Sequence, residues 1–174
     1  MLEFTAVRTA GFASAVFRME EAVKLGVISD THRLIRPDAL VALEGSDLII
    51  HAGDVGTPEV FAALERIAPV HAIRGNIDTA AWAQHLPEQR EVQVENVRIW
   101  VLHDLHQLAL DAAAEGYRAV ISGHSHQPKI EESGGVLYLN PGSAGPRRFK
   151  LPVTVARCEV RHGAIWAKLV ELDV

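Results

Sequence analysis

Nine histidines fall in a chain of 174 residues, and their positions carry more information than their number. Short polar signatures repeatedly follow apolar runs: Asp30-Thr31-His32 after Val23–Ser29, Gly53-Asp54 after Leu48–His51 and Gly75-Asn76 after Val70–Ile73. His103 follows Val97–Leu102, and Gly123-His124-Ser125-His126 follows Ala119–Ser122. Each run has the length of a buried strand. In open α/β sheets, ligands bind outside the carboxyl ends of the strands. Five strand ends therefore deliver Asp30, His32, Asp54, Asn76, His103, His124 and His126 to one edge. Asp30 and His32 are two apart, as are His124 and His126, and extended backbone would put each pair on one face. Oxygen and imidazole donors without thiolate suit Mn, Fe, Zn or Ni rather than a Cys-rich structural zinc site. Seven groups are too many for one ion. With one carboxylate bridging, they match two cations about 3.5–4 Å apart, an arrangement that serves phosphoester hydrolysis.

The elements that must position these groups change character along the chain. The first half alternates strand and helix. Pro37–Leu43 reads as a helix with proline in its first turn. A second helix opens at Thr57-Pro58-Glu59, with Thr57 as N-cap and Val60, Phe61, Leu64 and Ile67 at helical spacing. The second half reads mainly as hairpins. Glu91–Val94 and Val97–Leu102 meet at a tight turn, Glu95-Asn96. A helix is predicted over Gln107–Glu115, and further strands over Lys129–Glu132, Val136–Leu139, Val153–Val160 and Ala164–Leu172. This order predicts parallel strands first, antiparallel strands later, and two sheets.

GVISDTH, AGDV, RGNID, VLHDLH, SGHSH and NPGS, in this order and spacing, resemble the calcineurin-like metallophosphoesterases, and within them the small YfcE-type phosphodiesterases. The resemblance covers about residues 23–172. It implies an α/β fold, a four-layer αββα sandwich with two facing mixed sheets. It implies two divalent cations, with manganese ahead of iron, nickel or zinc. Asp30, His32 and His126 would hold one, Asn76, His103 and His124 the other, and Asp54 would bridge them. Catalysis would rest on Asp54, Asn76 and His103. His106 competes with His103 for its place; His103 is preferred because it directly follows its strand. Position 77, where relatives often carry a histidine able to protonate a leaving group, is Ile77. Asp78 is expected to orient Asn76 or His103, and Arg33 and Arg74 could meet a phosphate oxygen. Asn140–Ser143 is read as structural around the site.

The implied activity is hydrolysis of small phosphodiesters by a hydroxide that two cations activate. The alternatives are a phosphomonoesterase or nucleotide phosphatase, and a non-catalytic scaffold like the retromer subunit of this fold, whose metal site is impaired. Composition narrows the partners. Charge is −5, with 22 acids against 17 bases, the wrong sign for a stable nucleic-acid complex. No apolar run approaches a membrane span, and homo-oligomerisation is left open. The single cysteine, Cys158, suits a reducing, cytoplasmic setting and reads as a packed apolar group. Residues 1–22 read as a helical or frayed extension to a single domain spanning 23–174. Glu3 and Arg8 argue against a secretion leader there. His51, His71, His85 and His162 read as surface or core residues, Trp100 and Trp166 as packing between layers, and Arg147, Arg148 and Lys150 as a solvated basic cluster.

Overall fold

The structure is a computed structural model that describes residues 21–148 and 150–174. The expected extension lies outside these residues except for Glu21 and Ala22. Ten strands run in the order β1 (Val23–Ile28), β2 (Leu48–His51), β3 (Val70–Ala72), β4 (Gln89–Val94), β5 (Val97–Leu102), β6 (Ala119–Ile121), β7 (Lys129–Ser133), β8 (Val136–Asn140), β9 (Thr154–Arg161) and β10 (Ala164–Glu171). Helix α1 (Pro37–Leu43) follows β1, and α2 (Pro58–Glu65) follows β2. Pro58 sits in the first turn of α2, and Thr57 is its N-cap in extended backbone, with no side-chain hydrogen bond to the helix.

Two five-stranded sheets form, ordered β10-β9-β1-β2-β3 and β4-β5-β6-β8-β7. The expected division into a parallel first half and an antiparallel second half is corrected by this topology. In the first sheet β1, β2 and β3 are parallel, while β9 runs antiparallel to β1 and β10 antiparallel to β9. In the second, β5, β6 and β8 are parallel, and the antiparallel strands β4 and β7 form the edges. Hairpins dominated the reading because β4–β5 and β7–β8 are true hairpins. The parallel β5–β6 and β6–β8 crossovers have no long helix to announce them.

Alternation along the strands builds the layers. Leu25 and Val27 of β1, Ile50 of β2, Ile99 and Val101 of β5, Ile121 of β6 and Leu139 of β8 point between the sheets and form the central core. Ile28 and Ile49 point outward, against Leu43 of α1 and Val60 and Leu64 of α2. On the outer face of the second sheet, Leu102, Val120 and Val136 pack under Ala112 and Tyr117. Trp100 packs there against Tyr117, with ring centroids 5.4 Å apart. Trp166, expected to pack between layers, is instead 53% exposed. It lies on the outer face of an edge strand opposite Glu159, beside Lys24 and Lys168 and away from the helices. Cys158 is buried in the central core, and burial pushes its thiol up to about 12. No helix among the described residues is long and apolar enough to cross a membrane.

The helix predicted over Gln107–Glu115 does not form. The segment contains a 3₁₀ turn, Leu105–Gln107, and one later turn. In that turn the Ala114 N–H donates to Asp111 Oδ1 at 3.0 Å and the Tyr117 N–H to the Ala112 carbonyl at 2.9 Å. Leu108 and Leu110, two apart, both pack on the sheet, which is strand spacing rather than helical spacing. Gly116 at φ +80° ends the turn.

His51, at the end of β2, is 1% exposed. Its Nε2 lies 3.0 Å from Thr31 Oγ1, and that hydroxyl donates to the Val55 carbonyl at 2.9 Å. The ring therefore donates through Nε2, and its buried Nδ1 has no partner. Protonating Nδ1 would bury a charge with no acceptor, and burial lowers the pKa from 6.5 to about 4. Between these values the unfolded chain binds a proton that the folded chain refuses, so stability falls as pH drops through that window. The contribution is of order 3 kcal/mol. Urea midpoints measured for the metal-free protein from pH 7 to 4 should decline, and His51→Gln should flatten the decline. An identical slope in the variant would remove His51 as its source.

Candidate metal centre

The carboxyl ends of β1, β2, β3, β5 and β6 meet at one edge of the two sheets, and the seven expected residues lie in the loops that leave them. The extended backbone expected for the two pairs is not what forms. Asp30 (φ +53°), His32 (+47°), Asp54 (+57°), His124 (+66°) and His126 (+58°) are all in the left-handed region. This conformation is uncommon outside glycine and costly. It turns the chain sharply after β1, β2 and β6, so that side chains from these loops converge. Close approach needs residues without side chains. A Cβ on Gly75 would collide with Asp54 Oδ1, and one on Gly123 with Ser29 Oγ and Asp30 Oδ2.

Asp30 is fully buried and Asp54 nearly so. Asp30 Oδ1 lies 3.2 Å from His126 Nε2, 3.8 Å from His32 Nε2 and 4.0 Å from His103 Nε2. Asp54 presents one oxygen to each side, Oδ2 at 3.8 Å from His32 Nε2 and Oδ1 at 3.4 Å from His103 Nε2. His32 and His126 stack with their Nε2 atoms 3.2 Å apart. Two sets have donor atoms close enough to share an ion: Asp30, His32 and His126, and Asp30, Asp54 and His103.

The fit to a divalent cation shows in the atoms left over. Asp30 Oδ1 and His103 Nε2 are buried and have no hydrogen-bond partner, an arrangement that costs about 1–3 kcal/mol per group unless something else satisfies it. His103 Nδ1 lies 2.7 Å from the Ala52 carbonyl oxygen, so Nδ1 carries the proton and the Nε2 lone pair faces Asp54 and Asp30, as a metal-binding imidazole requires. His106 is exposed and belongs to neither set. Asn76 and His124 are exposed, and His124 lies outside both sets. They border, with His103, an open cavity of about 490 Å³ beside the buried carboxylates. The His124 ring stands edge-on to that of His103, centroids 5.2 Å apart.

The site holds its carboxylates ionised. Burial alone would raise the Asp30 pKa, but the nearby His126 and His103 imidazoles and the Ser29 hydroxyl bring it below the ordinary value. Asp54 is lowered too, against burial, by His103 and by the Ile77 N–H, which donates to Asp54 Oδ1 at 3.1 Å. His103 is raised, since Asp54 and the Ala52 carbonyl outweigh its burial. His32 is lowered, by burial first, with Asp54 and Asp30 opposing and Arg148 assisting.

Asp78 does not orient Asn76 or His103 as expected. It accepts the backbone N–H of Val55 (3.1 Å), Gly56 (2.8 Å) and Gly75 (2.9 Å), clamping the loop after β2 to the loop after β3. Ser29, which carried no expectation, donates to Asp30 Oδ2 at 2.7 Å; its place immediately before Asp30 was the only signal. Asn140 holds the loop after β6, donating to the Gly123 carbonyl at 2.7 Å and Ser125 Oγ at 3.1 Å. Ser143 Oγ donates to the Asp30 carbonyl at 2.9 Å. Arg74 is engaged with Glu88 at 2.6 Å. Within the basic cluster, Arg147 Nη2 donates to the Val174 carbonyl at 3.0 Å, and Arg148 Nη2 lies 3.3 Å from His32 Nε2.

Residues 23–163 match the model of the calcineurin-like phosphoesterase superfamily domain. The chain is 37% identical over 140 residues to a probable metallophosphoesterase of Methanothermobacter thermautotrophicus, covering 74% of this chain and 81% of that one. It is 30% identical to a phosphodiesterase of Methanocaldococcus jannaschii, covering 69% and 83% of the two chains. The structure of vacuolar protein sorting 29 from Cryptosporidium parvum superposes with a TM-score of 0.68 at 19% identity, over 88% of this chain and 99% of that one. At that identity the likeness is one of fold.

Divalent cation should stabilise the protein by mass action, by about 2.7 kcal/mol at a concentration 100 times the dissociation constant. Thermal melts with and without Mn²⁺ or Zn²⁺ will show the rise in Tm. His103→Ala should remove most of that rise, and His106→Ala should leave it. The reverse pattern would transfer the role to His106.

Proposed function

The chain belongs to the calcineurin-like phosphoesterase superfamily, and from that premise we propose that it is a metal-dependent phosphodiesterase of small phosphoesters. The observation that carries this reading is the buried pair Asp30 and Asp54, facing three imidazoles with oxygen and nitrogen atoms left unpartnered. The relative named a phosphodiesterase supports the diester preference. In this reading Asp30, His32 and His126 hold one cation and Asn76, His103 and His124 the other. Asp54 would bridge them, its two oxygens facing opposite histidines. The donor set favours manganese, with iron, nickel or zinc as alternatives. The cations, when bound, supply Lewis-acid charge and an activated water for in-line attack.

The chain's own residues set the conditions. Asp54 stays ionised through the Ile77 N–H and His103, and the His103 lone pair is aimed by the Ala52 carbonyl. Arg148, beside His32, is positioned to meet an anionic phosphoryl oxygen at the rim. The Ile77 side chain, 36% exposed, has no proton to give a departing alkoxide. Substrates with good leaving groups should therefore be favoured over alkyl monoesters, because general acid catalysis typically supplies ~10²–10⁴-fold. The partner is a small phosphoester in the cytoplasm; the net charge argues against a nucleic-acid complex. The fold shared with vacuolar protein sorting 29 favours a scaffold as the second reading, and the complete donor set favours the enzyme.

The deciding experiment measures metal content and assays the Mn²⁺-loaded protein on 4-nitrophenyl monoester and diester substrates. Diester hydrolysis should exceed monoester hydrolysis; no turnover at full metal occupancy would leave the scaffold. Asp54→Asn should abolish most activity and lower bound metal, and near-normal activity at equal occupancy would reject the bridge. Ile77→His should raise kcat/KM for poor leaving groups more than for nitrophenolate. An unmoved ratio with normal metal content would mean that residue 77 does not face the leaving oxygen.

A further inference from the structure

On the other side of His124 from the open cavity lies a second one, of about 530 Å³, on the outer face of the second sheet. Asp104 and His124 border both spaces, so the two are neighbours across these two residues. The second cavity is roofed by Leu105 and His106 and floored by Tyr138, and apolar surface dominates its wall. Leu105 is 41% exposed, so its side chain is accessible from the cavity. The charged pair on this wall cancels itself: Lys129 Nζ lies 2.5 Å from Glu131 Oε2. Among the described residues, neither the Tyr138 hydroxyl nor the His106 imidazole makes a side-chain hydrogen bond. The cavity thus has an apolar body and a few polar groups, with the Asp104 carboxylate as its one unbalanced charge, a make-up that suits an uncharged organic group and repels a further anion.

Building on the phosphoesterase reading, we propose that this cavity holds one ester substituent of the substrate, an aromatic or similarly apolar alcohol, while the phosphoryl group sits at the carboxylate–imidazole cluster. The shared wall at His124 places the two halves of such a substrate side by side. The self-neutralised Lys129–Glu131 pair disfavours substituents with further phosphates, since it leaves no free cation to meet them. Leu105 and Tyr138 would then set substituent preference without touching the reacting atoms.

The test uses the full-length metal-loaded protein and two non-hydrolysable probes, phenylphosphonate and methylphosphonate, measured by calorimetric titration and as competitive inhibitors. The unmutated protein should bind the phenyl probe roughly tenfold more tightly, the scale expected for burying one ring. Leu105→Ser changes an exposed side chain and should not disturb folding; with Tyr138→Ala it should cut this preference to about threefold or less. The affinity for methylphosphonate and the metal content should stay unchanged. Hydrolysis of a nitrophenyl diester together with no phenyl preference, or with a preference that neither substitution moves, would overturn the cavity assignment and leave the phosphoesterase reading standing. Failure of the metal-loaded protein to hydrolyse any phosphoester or to bind either probe would overturn both.

Discussion

Asp30 and Asp54 are taken out of water within about 4 Å of each other's histidine partners, and most of the surrounding architecture follows from that burial. An unpaired buried carboxylate is costly enough that it ordinarily takes up a proton. Here both stay ionised because donors are brought to them. Ser29 and the His124 N–H serve Asp30 Oδ2, the Ile77 N–H serves Asp54 Oδ1, and His126, His32 and His103 stand around the remaining oxygens. Opposing effects on one site explain why His103 is raised while His32 is lowered. The first has Asp54 and a carbonyl to favour its proton; the second has burial and Arg148 against it.

The backbone bears the cost of this convergence. Among the described residues, five of the eight non-glycine residues with positive φ are members of the expected ligand set, and each such residue costs of order 1–2 kcal/mol. Strain on that scale persists only where surrounding structure over-determines it. Asp78 ties the strained loop after β2 to the loop after β3 through three backbone N–H groups. The Asn140–Ser143 segment ties the strained loops after β6 and β1, through the Gly123 carbonyl and the Asp30 carbonyl. Neither group reaches a donor atom of the cluster. Their contribution is to fix where those atoms can be, the office of an outer layer around any precise site.

Much of this was legible in the sequence, because strand ends carry their chemistry locally. The apolar runs before Asp30, Asp54, Asn76, His103 and His124 are strands within a residue or two of their expected bounds, and Asp30, His32, Asp54, His103 and His126 from the loops after them come together. The reason given for the convergence, extended backbone, was wrong: left-handed turns do it, and a single sequence has no marker for a positive φ at aspartate or histidine. Strand direction in the second sheet was also hidden, since parallel pairing between β5, β6 and β8 is a long-range choice with no helix between the strands to signal it. Asp78 was noticed, but its partners are backbone groups, which no side-chain pattern reveals.

The failed helix over Gln107–Glu115 and the cavity beside His124 have one physical origin. A regular helix of that length would run about two and a half turns across the outer face of the second sheet. Leu108 and Leu110 instead anchor the segment at strand spacing, and Asp111 and Gly116 confine helical geometry to one turn. The wall beside Tyr138 is left open as a result. The residues that place the carboxylates and histidines lie at the ends of strands whose positions the two cores determine. Apart from the loop after β6 that it shares with the site, the cavity is lined by an irregular segment and an edge hairpin, where packing constrains side chains less. Substitutions at Leu105, His106 or Tyr138 can therefore reshape the space for a substrate group without moving a donor atom of the cluster, so the chemistry and the choice of substrate rest on different parts of the fold.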